Sequence, residues 1–291
     1  MAESLALIGL DWNGTRLSGW AFDAEGEVLG AFSALEARRP ELSEYLPRTH
    51  FHLGEWIGSA IEVPVIACGD IGLLAPESLR AEMRLPVAAT EAARLFETAG
   101  VHVVPWVWQG EPADVSGGAE TMLAGLGEDH GAICLAGRLT RHVQLAHGRI
   151  VRIATEMTAE LRDLYLTGGT LALGPDQAQA FDERVFRDWV EMALDTGEPV
   201  PVFAVEAAVL SGRLHPRHKA AAVAGLLIGR DVATHYDPGD EVVLVADGPL
   251  LEAYGLAFDC LGAEVEEASA EGVLQDGLVE LADLAGLLGE D

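Results

Sequence analysis

The chain opens on three short apolar stretches broken by turn-forming residues. Residues 5–10 are apolar almost throughout, 17–22 form a second run and 28–32 a third. Asn13-Gly14 and the segment 23–26 separate them, and Asn-Gly supplies the positive φ of a tight hairpin turn. The pattern predicts a three-stranded meander with Asp11 where the first strand ends, beside a turn of exposed backbone N–H groups. Such a turn can receive a phosphate while a carboxylate beside it holds a divalent cation; a carboxylate there can equally do no more than cap the turn.

Further along, 42–61 can be helical, and 64–68 reads as a buried strand running into Gly69-Asp70-Ile71-Gly72. That places a second carboxylate, Asp70, at a strand end. Thr90 caps a predicted helix over 90–99, and the strand 101–104 is stopped by Pro105. Gly117-Gly118-Ala119-Glu120-Thr121 leads into a helix over 122–126, and glycines opening a helix invite an anion. From residue 131 the opening pattern returns, as apolar 132–135, a turn at Gly137, 141–146, a turn at His147-Gly148, and 149–153. Two such meanders predict a duplicated domain with a cleft between the copies and a hinge near 127. The remainder is mostly helical, with predicted helices over 155–166, 177–194, 219–232, 250–261 and 271–288. Gly225 and Gly229, four apart, allow a close approach by another backbone or a flat ligand, packing being the simpler reading. The run 242–246 into Asp247-Gly248-Pro249 is strand, glycine turn and helix, an arrangement compatible with a nucleotide.

Composition narrows the classes. A length of 291 residues suits one large or two ordinary domains. There is no apolar run of the ~18 residues that span a bilayer and no basic leader, so a cytoplasmic protein is expected. Lys+Arg 18 against Asp+Glu 47 gives a net charge of -29, which disfavours nucleic acid and anionic membranes as partners. An anionic substrate then needs a local basic pocket. Arg138, Arg141, Arg149 and Arg152 gather in the second meander, where strand alternation turns some outward and leaves Arg138 and Arg141 as the better anion ligands. Cys68, Cys134 and Cys260 lie far apart in apolar runs and read as reduced core residues. A serine-hydrolase elbow and a dinucleotide fingerprint are both missing from the sequence.

Six motifs in order carry a resemblance. They are Asp11-Trp12-Asn13-Gly14-Thr15, Gly69-Asp70-Ile71-Gly72, Gly118-Ala119-Glu120-Thr121, Met157-Thr158-Ala159-Glu160-Leu161, Gly225-Leu226-Leu227-Ile228-Gly229, and Leu244-Val245-Ala246 with Leu250 and Tyr254. In order and spacing the chain resembles the 2-dehydro-3-deoxygalactonokinase family, sugar-acid kinases of the actin/hexokinase-like superfamily. The resemblance implies an α/β, duplicated actin/hexokinase-like (ribonuclease H-like) two-domain fold with a central cleft. Residues 1–126 would carry the first phosphate element and the sugar side, and 127–291 the second phosphate element and the adenosine side. It implies ATP and Mg2+ as cofactors, a small sugar acid as substrate, and transfer of the γ-phosphoryl group to the C6 hydroxyl of 2-dehydro-3-deoxy-D-galactonate. It leaves a homodimer open.

The resemblance also implies roles. Asp11 would be the metal or phosphate-side carboxylate, with Asn13, Gly14 and Thr15 lining the first phosphate turn. Gly137, Arg138, Thr140 and Arg141 would line the second, and Gly248 would lie beside the adenosine. Gly69, Gly118, Thr121 and Glu160 fall on the substrate side, with Glu120 as general base and Asp70 competing for that role. Departures accompany the matches. The family's Asp-Trp-Gly-Ser-Thr becomes Asp11-Trp12-Asn13-Gly14-Thr15, which keeps the turn. Its Arg-Gly-Glu-Glu-Thr becomes Gly117-Gly118-Ala119-Glu120-Thr121, losing an arginine and a carboxylate. Its Pro-Gly-Thr-His-Ser-Lys-Trp becomes Ala136-Gly137-Arg138-Leu139-Thr140-Arg141-His142. A substrate-region arginine falls at Glu206, which would repel a sugar-acid carboxylate in a dry site, and a glycine of the adenosine turn falls at Asp247. Three readings stay open: a sugar-acid kinase, a kinase for a different and uncharged sugar, and a non-catalytic ligand-binding relative.

Overall fold

The computed structural model describes residues 4–58, 62–127, 131–174, 181–195 and 199–288. In chain order the regular elements are β1 (Leu7–Asn13), β2 (Arg16–Phe22), β3 (Val28–Leu35), α1 (Tyr45–Ile57), β4 (Val65–Gly69), α2 (Glu77–Glu82), β5 (Val87–Ala88), β6 (Phe96–Thr98), β7 (Val101–Val103), β8 (Trp108–Gln109), β9 (Asp114–Val115) and α3 (Ala119–Leu126). There follow β10 (Ala132–Leu135), β11 (Thr140–Ala146), β12 (Arg149–Glu156), α4 (Thr158–Thr167), α5 (Glu183–Leu194), α6 (Phe203–Leu210), α7 (Lys219–His235), β13 (Glu241–Ala246), α8 (Gly248–Leu261), β14 (Glu264–Ser269) and α9 (Ala270–Leu284). By internal contacts the chain forms two compact units. The first comprises Met1–His130, Gln144–Ile153 and Ala270–Asp291, the second Gly131–Val143 and Ala154–Ser269. The chain thus passes between the units more than once, with Gln144–Ile153 and the last helix grouped with the first, where the sequence reading expects one boundary between 126 and 127.

In the first unit the sheet order is β3-β2-β1-β4-β7-β6. The opening meander is antiparallel, and β1, β4 and β7 run parallel. Alternation along β1 sends Ile8, Leu10 and Trp12 to one face, where they pack with Tyr45 and Leu53 of α1. The buried Trp12 indole donates to Thr49 Oγ1 at 2.6 Å, so this tryptophan is a core residue with its polar atom satisfied. Gly9 and Asp11 face the other way, and a Cβ added at Gly9 would lie 2.9 Å from Leu278 of α9. Asp11 thus belongs to the side of the sheet that α9 covers.

In the second unit the strands run in the order β14-β13-β10-β11, with β10, β13 and β14 parallel. Cys134, Leu244 and Ala246 of the sheet pack with Ile228 of α7 and Phe258 of α8. A Cβ at Gly225 would lie 2.3 Å from the Phe186 carbonyl oxygen, so the Gly225/Gly229 pair serves the crossing of α7 over α5.

Several elements differ from the sequence expectation. The helix over 90–99 is instead a short 3-10 turn, Ala89–Ala93, followed by β6. Ala99 and Gly100, both at positive φ, turn β6 back onto β7, and this hairpin outweighs the helical spacing. The helix expected from 155 starts at Thr158 because β12 runs on to Glu156. β14 is absent from the sequence reading, since Glu264, Glu266 and Glu267 leave an edge strand too acidic to show apolar alternation. The early parts of the expected 177–194 helix and the end of 42–61 lie outside the described residues.

Candidate active site

β1 continues two residues beyond Asp11, and the turn itself is Gly14-Thr15. Asp11 pairs in register with Cys68 of the parallel neighbour β4, and the Cys68 thiol donates to Asp11 Oδ1 at 3.7 Å. The next residue, Gly69, adopts φ +80°, and a Cβ there would lie 2.4 Å from Asp11 Oδ1 and 2.2 Å from the Trp12 carbonyl oxygen. Only glycine lets the chain leave β4 without displacing the carboxylate. Gly118, at φ +98°, brings its own Cβ position to 3.0 Å from Gly69 Cα. Two bare backbones therefore abut beside Asp11, and the Trp106 indole holds the Gly69 carbonyl at 2.7 Å.

Gly118 precedes α3, which presents Glu120 and Thr121 in its first turn. Glu120 is 0% exposed, and its Oε2 accepts the Gly118 N–H at 3.2 Å. An anion in that place also meets the favourable end of the helix dipole. Burial pushes the Cys68 thiol well up, and the nearby charges of Asp11 and Glu120 push it further, while a hydrogen bond with Thr121 opposes them. The two carboxylates and the Gly69/Gly118 backbones thus form one cluster, as sequence order alone could not show. A neutral, enclosed thiol is chemically inert. Cys134 is likewise buried and raised, and Cys260 is half-buried. Alkylation of the native protein near pH 8 is therefore expected to modify at most Cys260, all three thiols reacting after denaturation, as mass spectrometry can check.

Asp70 has a different occupation. Its Oδ2 accepts the Gly14 N–H at 3.1 Å and the Tyr45 hydroxyl at 3.1 Å, and it lies 2.9 Å from Arg39 Nη2. It ties the Gly14 turn to α1, and the Gly14 N–H is already engaged; Asn13 and Thr15 beside it are exposed. The Tyr45 hydroxyl is held above its usual range chiefly by burial.

In the second unit, Gly137 lies in the turn between β10 and β11 and is half-buried. Arg138 Nη1 pairs with Glu160 Oε2 at 2.9 Å, so two residues expected to face different ligands meet each other. Thr140 is fully buried, its hydroxyl 2.8 Å from the Tyr254 hydroxyl. Its side chain is part of the core, which leaves only its backbone to line a phosphate turn. Arg141 is half-buried on β11. Gly248 opens α8 at an exposed helix start, and Thr158, Ala159, Arg162, Leu227, Leu250 and Tyr254 line a small, mostly apolar recess. Glu206 is not a bare charge, because Lys219 Nζ lies 2.7 Å from it and both are largely buried. Sequence reasoning overlooked Cys68 as a neighbour of Asp11, and also Trp106, Arg39 and Lys219, since only the strand register and helix packing bring them to these partners.

The donor set suits the cofactors that the resemblance implies. Asp11 offers hard carboxylate oxygens on β1, as Mg2+ prefers, and the exposed start of α8 offers helix N-terminal N–H groups of the kind that receive a nucleotide's phosphate.

The chain is similar to known proteins over nearly its whole length. Residues 11–281 match the family described as 2-keto-3-deoxy-galactonokinase. A probable 2-dehydro-3-deoxygalactonokinase, DgoK1, of Rhizobium meliloti (strain 1021) is 26% identical, the match covering 92% of this chain and 94% of the relative. The 2-dehydro-3-deoxygalactonokinase of Escherichia coli (strain K12) is 24% identical over 94% of this chain and 97% of its own. A crystal structure named for a 2-dehydro-3-deoxygalactonokinase protein from Sinorhizobium meliloti superposes with a TM-score of 0.82 at 25% identity, covering 95% of this chain and 98% of that one. Architecture, motif order and these matches agree: the fold is α/β of the actin/hexokinase-like type, and the chain belongs to the 2-keto-3-deoxy-galactonokinase family.

Proposed function

We propose that this protein is an ATP-dependent, Mg2+-requiring kinase that phosphorylates the C6 hydroxyl of 2-dehydro-3-deoxy-D-galactonate or a similar sugar acid. The observation that carries the reading is the seat of Asp11, a half-buried carboxylate on β1, two residues before the Gly14 turn, set against the bare backbone of Gly69, which Gly118 abuts in turn. Phosphoryl transfer asks the protein mainly for positioning and for charge stabilisation. Asp11 would hold the divalent ion, which when bound neutralises phosphate oxygens. Glu120, enclosed and bonded to the Gly118 N–H, acts through that amide as a positioning residue, and Asp70 does the same for the Gly14 turn. Asn13 and Thr15 would flank the first phosphate turn; Gly137 and Arg141 would serve the second, and Gly248 the adenosine. The repulsion expected from Glu206 is offset by Lys219, which supports an acidic sugar.

A second reading, a kinase for an uncharged sugar, draws on the pairing of Arg138 with Glu160, which occupies a cation that would otherwise meet an anion. One experiment separates the two: supply Mg-ATP with a panel of neutral sugars and keto-deoxy sugar acids and follow ADP release. Turnover on the keto-deoxy acid supports the first, and turnover confined to neutral sugars the second. No turnover, with no ATP-induced rise in melting temperature, overturns both.

A further inference from the structure

We propose that the second unit contains a structural zinc site formed by His142, Asp231 and His235, with Glu156 as the fourth ligand at its rim. The first three offer ligand atoms that all lie within 4.8 Å of one another. Asp231 and His235 stand four residues apart on α7 and so share a helix face, while His142 comes from β11 and Glu156 from the end of β12. His142 Nε2 is 2.7 Å from Asp231 Oδ1, His235 Nε2 is 4.0 Å from the same oxygen, and His235 Nε2 is 3.3 Å from Glu156 Oε1. A tetrahedral ion about 2.0–2.1 Å from each ligand requires ligand–ligand edges of roughly 3.3 Å. The three separations straddle that value. The two imidazoles stack at 3.9 Å with 14° between their planes, so for both to converge on one ion the rings must turn out of that stack.

What distinguishes this cluster from an ordinary buried ion pair is its outer layer. The Tyr236 hydroxyl donates to the Ile133 carbonyl at 3.3 Å, so its oxygen is left to accept from His142 Nδ1 at 2.9 Å. That places a proton on Nδ1 and directs Nε2 inward as the ligand atom. Asp231 Oδ2 is occupied by the hydroxyls of Thr158, at 2.8 Å, and Tyr254, which turns Oδ1 toward the two histidines. Orienting bonds of this kind on both a ligating histidine and a ligating carboxylate are what a built metal site has. Two imidazoles with carboxylates select zinc over magnesium, which prefers oxygen alone.

The test uses the full chain stripped with a chelator and given zinc alone, or cobalt(II) as a spectroscopic substitute. One zinc per chain by elemental analysis, a raised melting temperature, and the intense visible band of tetrahedral cobalt are expected. His235→Gln should weaken uptake by at least roughly 100-fold, beyond the 10–100-fold cost of losing an outer-layer partner. Glu156→Gln, at the half-exposed rim, should weaken it by about 10-fold and alter the cobalt spectrum. No stoichiometric zinc, or wild-type uptake by His235→Gln, overturns the proposal. If His235→Gln without metal melts unlike the metal-free parent, Glu156→Gln decides, an unchanged cobalt spectrum overturning the ligand set. None of these readouts uses kinase activity, so the result stands apart from the proposed reaction.

Discussion

Asp11→Asn is expected to lower kinase turnover by roughly 10²–10³-fold while leaving the melting temperature unchanged. The substitution keeps the shape beside Gly69 and an oxygen for the Cys68 thiol, but removes the charge. Steady-state ADP release with Mg-ATP, alongside thermal melting, measures both halves of the expectation. Two companions locate the chemistry. Glu120→Gln retains an oxygen that can accept the Gly118 N–H, so a positioning role predicts a loss below about 10-fold, whereas a general base would lose roughly 10²–10⁴-fold. Asp70→Asn keeps acceptors for Gly14 and Tyr45 and gives up only the charge opposite Arg39, so its effect should fall on the KM for ATP more than on kcat. Full activity in Asp11→Asn would remove the carboxylate from the centre of the proposed site.

The frame of this site was legible in the sequence where short-range physics governs it. Gly14, at φ +67°, and the apolar runs on either side specify the first hairpin, its turn falling at Gly14-Thr15, one residue later than Asn13-Gly14 suggests, and β1 to β3 form where those runs lie. Gly69 and Gly118 were singled out as glycines near carboxylates, and both prove to sit at positive φ in one place. The contacts that give the carboxylates separate occupations were not legible, because they are long-range. Asp70 meets Tyr45 and Arg39 across 25 and 31 positions of chain, and no local pattern marks which acidic residue a distant arginine will engage. Glu206 shows the same limit with the opposite sign, a residue that reads as repulsive until the packing of α6 with α7 supplies Lys219. The location of α9 was hidden for a related reason. An amphipathic helix announces that it will bury a face but not against what.

That helix carries the largest expected effect on stability. Gly277→Ala should destabilise the protein by about 3 kcal/mol, at the upper end for an overpacked core, and lower its melting temperature on the order of 10 °C. A Cβ at Gly277 would lie 1.9 Å from the Thr121 carbonyl oxygen and 3.2 Å from the Gly125 N, and one at Gly125 would lie 2.2 Å from the Val273 carbonyl oxygen. At this crossing α3 and α9 touch backbone to backbone, so no rotamer change can make room and the helices must separate. The sign is diagnostic, since Gly→Ala inside a helix ordinarily stabilises by roughly 1 kcal/mol. Gly255→Ala on α8 is the control, because its Cβ would meet only the Glu267 side-chain end at 3.3 Å. The consequence should reach the site. α3 bears Glu120 and Thr121 in its first turn, and the Trp20 indole fixes the start of α9 through Glu271 at 3.1 Å, so displacement falls on the α3 side and on Gly118 before it. Gly277→Ala should therefore also reduce turnover at temperatures where it remains folded, although it touches no reacting group. Equal gains in melting temperature for Gly277→Ala and Gly255→Ala would mean that α9 does not press on α3, and the link from the last helix to Glu120 would fall with it.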